Sequence, residues 1–295
     1  MNLAIYLKEK KKTVDSFLRK YISAKKKHKE CPRGLADAMG YALMAGGKRA
    51  RPILCIASYE ASGGRSNKIL PIACALELIH TYSLIHDDLP AMDNDDFRRN
   101  MPTTHKVFGE ATAILAGDAL LTDAFNMIVQ SKARPETLVQ VINEMSSACG
   151  PEGLVGGQTV DLLLEGKKAR KKDLIYIHTH KTGALIKASV KTGAIVANAS
   201  TDKLKYLADY GEKVGLAFQV VDDILDIIGT KEEIGKSTGA DNARGKNTYP
   251  SIFGLKKSRD IATALANESI EALSSFNKKA DPLREIAGYI ISRRN

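Results

Sequence analysis

The 295-residue chain has no tryptophan and only 6% aromatic residues, which leaves few π faces to steer a long cationic cascade. Its four cysteines, Cys31, Cys55, Cys74 and Cys149, form no Cys-x-x-Cys pair. That spacing argues against a zinc site or a disulfide framework and fits a reducing cytoplasm. No uninterrupted apolar run of about eighteen residues is present, so no stable membrane insertion is expected. The N-terminal apolar stretch gives way to lysines too early for a secretory signal, and the reading is a mature, soluble, intracellular protein. Runs of alternating or β-branched residues bounded by hairpin signals are scarce as well.

What is present is an excess of cations, 44 Lys and Arg against 34 Asp and Glu, for a net charge of +10. The lysine runs at 8–12 and 25–29 alternate with helix-compatible residues, and 165–173 reads as an exposed helix end or loop. With few interleaved aromatics and no recognition motif, these are solvated faces, and no nucleic-acid partner is expected.

Helical periodicity dominates, punctuated by short Gly, Pro and Asn clusters. It predicts helices over 3–27, 33–45, 50–62, 67–89, 109–131, 135–149, 172–197, 202–229, 248–255, 258–275 and 281–293. The fold expected is all-α: one domain over 1–295, with 44% hydrophobic residues to bury in its core.

Against the basic background stand two acidic clusters about 130 residues apart, Asp87-Asp88-Leu-Pro-Ala-Met-Asp93 and Asp222-Asp223-Ile-Leu-Asp226. Carboxylates beside apolar surface repel one another and lose hydration unless cations or donors neutralise them. On a helical wheel, Val214, Phe218, Val221, Leu225 and Ile228 share one stripe, and Gly215, Gln219, Asp222, Asp223 and Asp226 the adjacent one. His80, Ser83 and Asp87 share a face of an earlier helix, after which Pro90 starts a loop. The first cluster alone has a blander reading as an acidic helix end and loop or a modest calcium site; the pair suggests facing clusters that share divalent metal.

Magnesium takes oxygen ligands and usually binds through one or two carboxylates plus substrate phosphates. Opposed carboxylate clusters would suit a diphosphate, with the metals stabilising charge on its oxygens as it leaves. Phosphate-binding cations occur in two tight groups, GGKRARP at 46–52 and Arg98-Arg99, and arginine suits phosphate by its bidentate fork. Taken singly, each group reads as a surface patch or as local charge balancing.

HTYSLIHDDLPAMDNDDFRRN (80–100), GGKRARP (46–52) and FQVVDDILD (218–226) together resemble the trans-polyprenyl diphosphate synthases, and most closely the bacterial-type farnesyl diphosphate synthases. LVGGQTVDL (154–162), HKTGAL (180–185), GKSTGAD and GKNTYP extend the match from about residue 40 to the C-terminus. The resemblance implies a helical bundle around a central cavity and a homodimer. It also implies three Mg²⁺, with Mn²⁺ able to substitute, and condensation of isopentenyl diphosphate with an allylic diphosphate (dimethylallyl or geranyl) by ionisation, condensation and elimination. Asp87, Asp88, Asp93 and Asp222, assisted by Asp226, would hold the metals, and Asp223 would act through neighbouring groups. Lys48, Arg51, His80 and Arg99 would surround isopentenyl diphosphate; Arg98, Lys181 and Lys236 would contact the allylic diphosphate. Thr182 and Gln219 would place oxygens near the allylic cation, and Lys246 would close over the site. Departing pyrophosphate would take the proton.

Chain length in the resembled family is set by bulk below the first aspartate motif. There Tyr82, five residues before Asp87, predicts a floor at fifteen carbons, with Thr81 and Ser83 small beside it. Asn100 and Met101 depart from the family's usual Gly and Lys, and Asn100 is expected to preserve the turn because Asn tolerates left-handed angles. A class I terpene cyclase fits less well, since its second metal motif is not Asp-Asp-x-x-Asp. Geranyl or geranylgeranyl diphosphate synthases and a catalytically silent partner subunit are the alternatives.

Overall fold

The computed structural model describes residues 1–228 and 246–292, as helices joined by turns and loops with almost no strand. Contacts cluster into two compact units, Asn2–Ile53 with Ser66–Leu138 and Leu54–Arg65 with Val139–Asn295, Met1 clustering with the second.

In the first unit, helix α1 (Leu3–Lys27) begins where Asn2 Oδ1 accepts from the Ile5 N–H and buries Val14, Leu18 and Ile22 at helical spacing. Lys25, Lys26 and Lys27 in its last turn suit the negative end of its dipole. Helix α2 (Arg33–Met44) approaches it closely at Gly40, where a Cβ would lie 2.8 Å from Ile22 Cγ2. Helix α3 (Ala50–Ala61) starts in this unit and ends in the other.

Helix α4 (Ile69–Asp87) is apolar nearly all round, with Ile72, Leu76, Leu78 and Ile79 fully buried, as expected of a core helix. It packs mainly on α6 (Glu110–Val129). The sequence reading expected no spanning helix, yet both α4 and α6 are long and apolar enough to cross a membrane by length and composition. Burial accounts for α4, whereas α6 leaves Ile114, Leu115 and Val129 exposed.

Between α4 and α6 lies a two-stranded antiparallel hairpin, β1 (Phe97–Arg98) and β2 (Met101–Pro102), followed by the short helix α5 (Thr104–Phe108). Arg99 and Asn100 form its two-residue turn, both left-handed at φ 53° and 61°, as a type I′ turn requires. Asn100 thus keeps the turn expected of it. The sequence reading assigned neither hairpin nor α5, for an Arg-Asn turn lacks the usual Asn-Gly or Asp-Gly signal.

The second unit contains most of α7 (Pro135–Cys149), α8 (Leu154–Leu163) and α9 (Lys171–Ile177). A π-helical turn (His178–Gly183) leads into α10 (Ala184–Val196), and α11 (Thr201–Ile228) follows. Later in the chain come α12 (Tyr249–Phe253), α13 (Leu255–Ala272) and α14 (Asp281–Ser292). One predicted helix, 172–197, is therefore two helices joined by a wider turn, and α8 was not foreseen.

Helix α11 corrects the wheel. It packs on both α10 and α13, so its buried face is wider than one stripe and takes in Leu207, Tyr210, Val214, Ala217, Val221 and Ile224. Asp223 and Asp226 fall inside that face, Asp222 is half-buried, and Ile228, assigned to the apolar stripe, is 47% exposed.

Candidate functional site

The first unit gathers its cations through the 46–49 loop and the first turn of α3. Gly46 and Gly47 adopt φ 99° and 117°, conformations that side chains resist. A Cβ on Gly47 would stand 2.7 Å from the Arg99 guanidinium. Arg99 donates to the Gly46 carbonyl from the hairpin turn. Arg49, itself left-handed at φ 53° and 2% exposed, donates to Glu77 Oε1 at 2.6 Å, Asp15 Oδ1 at 2.9 Å and the Leu43 carbonyl at 2.7 Å. This locks the turn between Lys48, which is exposed, and Arg51, which is half-buried. Spacing groups Arg49 with the phosphate-binding cations of GGKRARP, but its contacts turn it inward to Asp15 and Glu77, neither of which spacing reveals.

Burial drives His80 well below its ordinary value, and Arg51, Arg99, Arg98 and Arg49 push it further the same way. The imidazole is neutral at pH 7, and four guanidinium groups act on it together. Arg49 is balanced by Glu77 and Asp15 and Arg98 by Asp88, while Arg99, held by a carbonyl, favours an anion nearby. Ser83 Oγ donates to the His80 carbonyl at 3.0 Å. Tyr82 is 6% exposed and meets His86 edge to face, with ring centroids 5.7 Å apart.

The first aspartate segment curls back at the end of α4. Asp93 N–H donates to the Asp87 carbonyl at 2.8 Å and Asp95 N–H to the Asp88 carbonyl at 3.2 Å. The adjacent acids separate. Asp88, 3% exposed, receives Arg98 Nε at 2.7 and 2.8 Å on its two oxygens and Nη2 at 2.5 Å, whereas Asp87 and Asp93 are only half-buried. The sequence reading treated Asp88 as equivalent to Asp87; the structure turns it toward Arg98.

The second unit builds a polar cavity of about 90 Å³ lined by Asp161, His178, Lys181, Thr182, Gln219, Asp223 and Lys246, among others. Lys181 Nζ reaches Asp161 Oδ2 at 2.6 Å across the contact of the π turn with α8. Gly157 permits that contact: a Cβ there would fall 2.2 Å from the Lys181 nitrogen. Thr182 Oγ1 donates to Gln219 Oε1 at 2.8 Å, and Gln219 Nε2 donates to Asp223 Oδ1 at 2.9 Å. Asp223 Oδ2 accepts the Tyr249 N–H at 2.9 Å and lies 3.7 Å from His178 Nε2.

His178 stacks on Tyr249, with ring centroids 5.2 Å apart. Burial, partly opposed by Asp161 and reinforced by Lys181, brings its pKa down to about 3. Asn247 accepts the Ala169 N–H and donates to the Leu164 and Lys167 carbonyls, holding the segment before α9. Asp161, His178, Tyr249 and Asn247 were not singled out from sequence. Asp161 and Asn247 do lie inside the quoted motifs LVGGQTVDL and GKNTYP. Lys236 and GKSTGAD lie outside the described residues.

Among the described residues, no three His, Cys, Asp or Glu side chains gather closely enough to hold a metal between them. In the first unit the half-buried Asp87 and Asp93, and in the second the half-buried Asp222, each offer carboxylate oxygen, a donor that suits a cation which keeps waters and takes further ligands from phosphate.

The chain is 48% identical to the geranylgeranyl diphosphate synthase of Cyanophora paradoxa, over all of this chain and 97% of that one. It is 47% identical to the farnesyl diphosphate synthase of Geobacillus stearothermophilus, over 86% of each. Among solved structures, an FPP/GFPP synthase from Zymomonas mobilis superposes with a TM-score of 0.86 at 36% identity, covering 98% of this chain and 99% of the other. Residues 32–286 match the polyprenyl synthetase family model, a span that holds the arginine-ringed His80 and every described acid of both aspartate segments. The chain therefore belongs to the polyprenyl synthetase family, with the all-α fold of the isoprenoid synthases.

Proposed function

We propose that the protein is a trans-prenyltransferase that extends dimethylallyl and geranyl diphosphates with isopentenyl diphosphate, chiefly to farnesyl diphosphate. The observation that carries this reading is the gathering of Arg51 and Arg99 beside the buried His80, next to the Arg98–Asp88 pair, since cations so placed attract an anionic ligand. Lys48, Arg51, His80 and Arg99 would hold isopentenyl diphosphate. Arg98, oriented by Asp88, would meet the allylic diphosphate, with Lys181 and Lys236 as further cations for it.

Asp87, Asp93 and Asp222 would hold Mg²⁺, three ions in the full complement, with Asp226 in support. When bound, the metal supplies positive charge that stabilises the leaving diphosphate. Lys181, held by Asp161, keeps a cation at the polar cavity. Thr182 and Gln219 hold oxygens toward the allylic carbons as they become positive. The departing pyrophosphate takes the proton, so no side-chain base is required. Lys246 lines the same cavity and closes over it in this reading.

The fifteen-carbon product rests on Tyr82, whose ring is buried and braced by His86. A twenty-carbon product is the second reading, favoured by the similarity to the Cyanophora paradoxa synthase. A homodimer is the proposed assembly and the cytoplasm the proposed location.

The test is to incubate purified protein with Mg²⁺, labelled isopentenyl diphosphate and allylic primers of five, ten, fifteen or twenty carbons, then separate the dephosphorylated products by length. Fifteen-carbon product from the two shorter primers, lost with EDTA, is the expected result. Longer products keep the reaction class and discard the role of Tyr82. No condensation with any primer overturns the reading in favour of a silent subunit.

A further inference from the structure

The geometry points to Asp223 as a positioning residue that sets the polarity of the Thr182–Gln219 pair, rather than as a metal ligand. The inference rests on the proposed role of that pair beside the allylic cation. A carboxylate whose two oxygens both accept hydrogen bonds has no donor to offer along them. Asp223 is 2% exposed, with Oδ2 taking the Tyr249 N–H at 2.9 Å and Oδ1 taking Gln219 Nε2 at 2.9 Å. The Gln219 amide is thus forced to turn its nitrogen toward Asp223 and its oxygen toward Thr182.

Thr182 then spends its proton on Gln219 Oε1, at 2.8 Å. Its lone pairs are left for the cavity that both side chains line. Both groups accordingly present oxygen, not hydrogen, to the space where positive charge develops. Reversing the amide would turn an N–H₂ toward Thr182 and free the hydroxyl proton to point into the cavity, aiming donors where the chemistry needs acceptors.

Asp223→Asn is nearly isosteric and can still accept the Tyr249 N–H through Oδ1, but it presents an amide N–H₂ to Gln219 and so inverts the chain of donors. Adding Gln219→Glu supplies an acceptor both for that new amide and for Thr182, and returns the pair to its original net charge. Steady-state kinetics with dimethylallyl and isopentenyl diphosphates, across a Mg²⁺ titration, would be measured for wild type, D223N, Q219E and D223N/Q219E, with circular dichroism to confirm folding.

The expected result is a kcat about 10²-fold lower in D223N, in line with misplacement beside a reacting centre. Half-saturating Mg²⁺ and the KM for isopentenyl diphosphate should be unchanged, with kcat largely restored in the double variant. A raised Mg²⁺ requirement in D223N, an unchanged kcat, or a loss that the double variant does not rescue would overturn the inference while leaving the transferase reading intact. A wild-type protein that condenses no primer would instead sink the transferase reading, and this inference with it.

Discussion

Arg49 Nη1 donates to Glu77 Oε1 at 2.6 Å with both side chains almost wholly buried, and this one pair ties the loop that leads into α3 to helix α4 three residues before His80. Asp15 completes the arrangement from α1. Three helices and a glycine-rich loop thus meet at one guanidinium.

Glu77→Gln would leave the buried Arg49 charge short of its nearest counter-charge, and removing one partner of a buried pair costs about 3 kcal/mol or more. Urea denaturation should show this loss. Because Lys48 and Arg51 flank Arg49, the KM for isopentenyl diphosphate should also rise, with a smaller change in kcat. An unaltered denaturation midpoint would show that the pair does not hold the loop.

Gly157→Ala should be poorly tolerated. Its Cβ would lie 2.2 Å from the Lys181 nitrogen, 2.7 Å from the Lys181 Cα and 2.8 Å from the His180 carbonyl carbon, all backbone atoms that cannot rotate away. Overpacking of this kind costs about 1–3 kcal/mol, and shifting the Lys181 turn should lower kcat as well. Thermal melting and kinetics on the same preparation would check both effects.

His178 gives the protein a built-in sensitivity to acid. Its folded pKa of about 3 lies below the ordinary 6.5, so as pH falls the unfolded chain takes up the proton first. The stabilisation is complete above about pH 6.5 and is lost below it, at about 1.4 kcal/mol per pH unit down toward pH 3. Urea midpoints at pH 7 and pH 5.5 should differ less in His178→Phe, which keeps the stacking on Tyr249, than in wild type.

Tyr82→Ala should shift the main product from fifteen carbons to twenty or more, read by chain-length separation of dephosphorylated products. An unchanged distribution would reduce Tyr82 to a packing residue of α4. The ring touches His86, so some loss of thermal stability should accompany either outcome.

Long helices were legible wherever apolar spacing was regular: α1 and α7 occupy the residues predicted for them, α4 departs by two at each end, and α11 begins one residue earlier than predicted. The elements missed were those that single-residue rules obscure. In α8, Gly156 and Gly157 lower helix propensity, but close approach to the Lys181 turn is what a bare Cα allows. At the hairpin, Arg99 and Asn100 supply left-handed angles without the usual glycine. Among the acids, spacing gave the clusters but not the division of labour, since only packing shows Asp88 turned to Arg98 and Asp223 turned to Gln219 and Tyr249.

The π turn at His178–Gly183 has a consequence for how this protein can vary. A π turn accommodates an additional residue relative to regular α-helix, so Lys181 and Thr182 owe their bearing to a local surplus in the chain. Deleting one residue there would close a regular α-helix from Lys171 to Val196 with its flanks near their present bearing, while Lys181 and Thr182 would swing away from theirs. Point substitutions in this stretch can be gradual in effect, but a change of length is all or nothing. Across related sequences, gaps should therefore be absent from 178–183 even where the residues themselves differ.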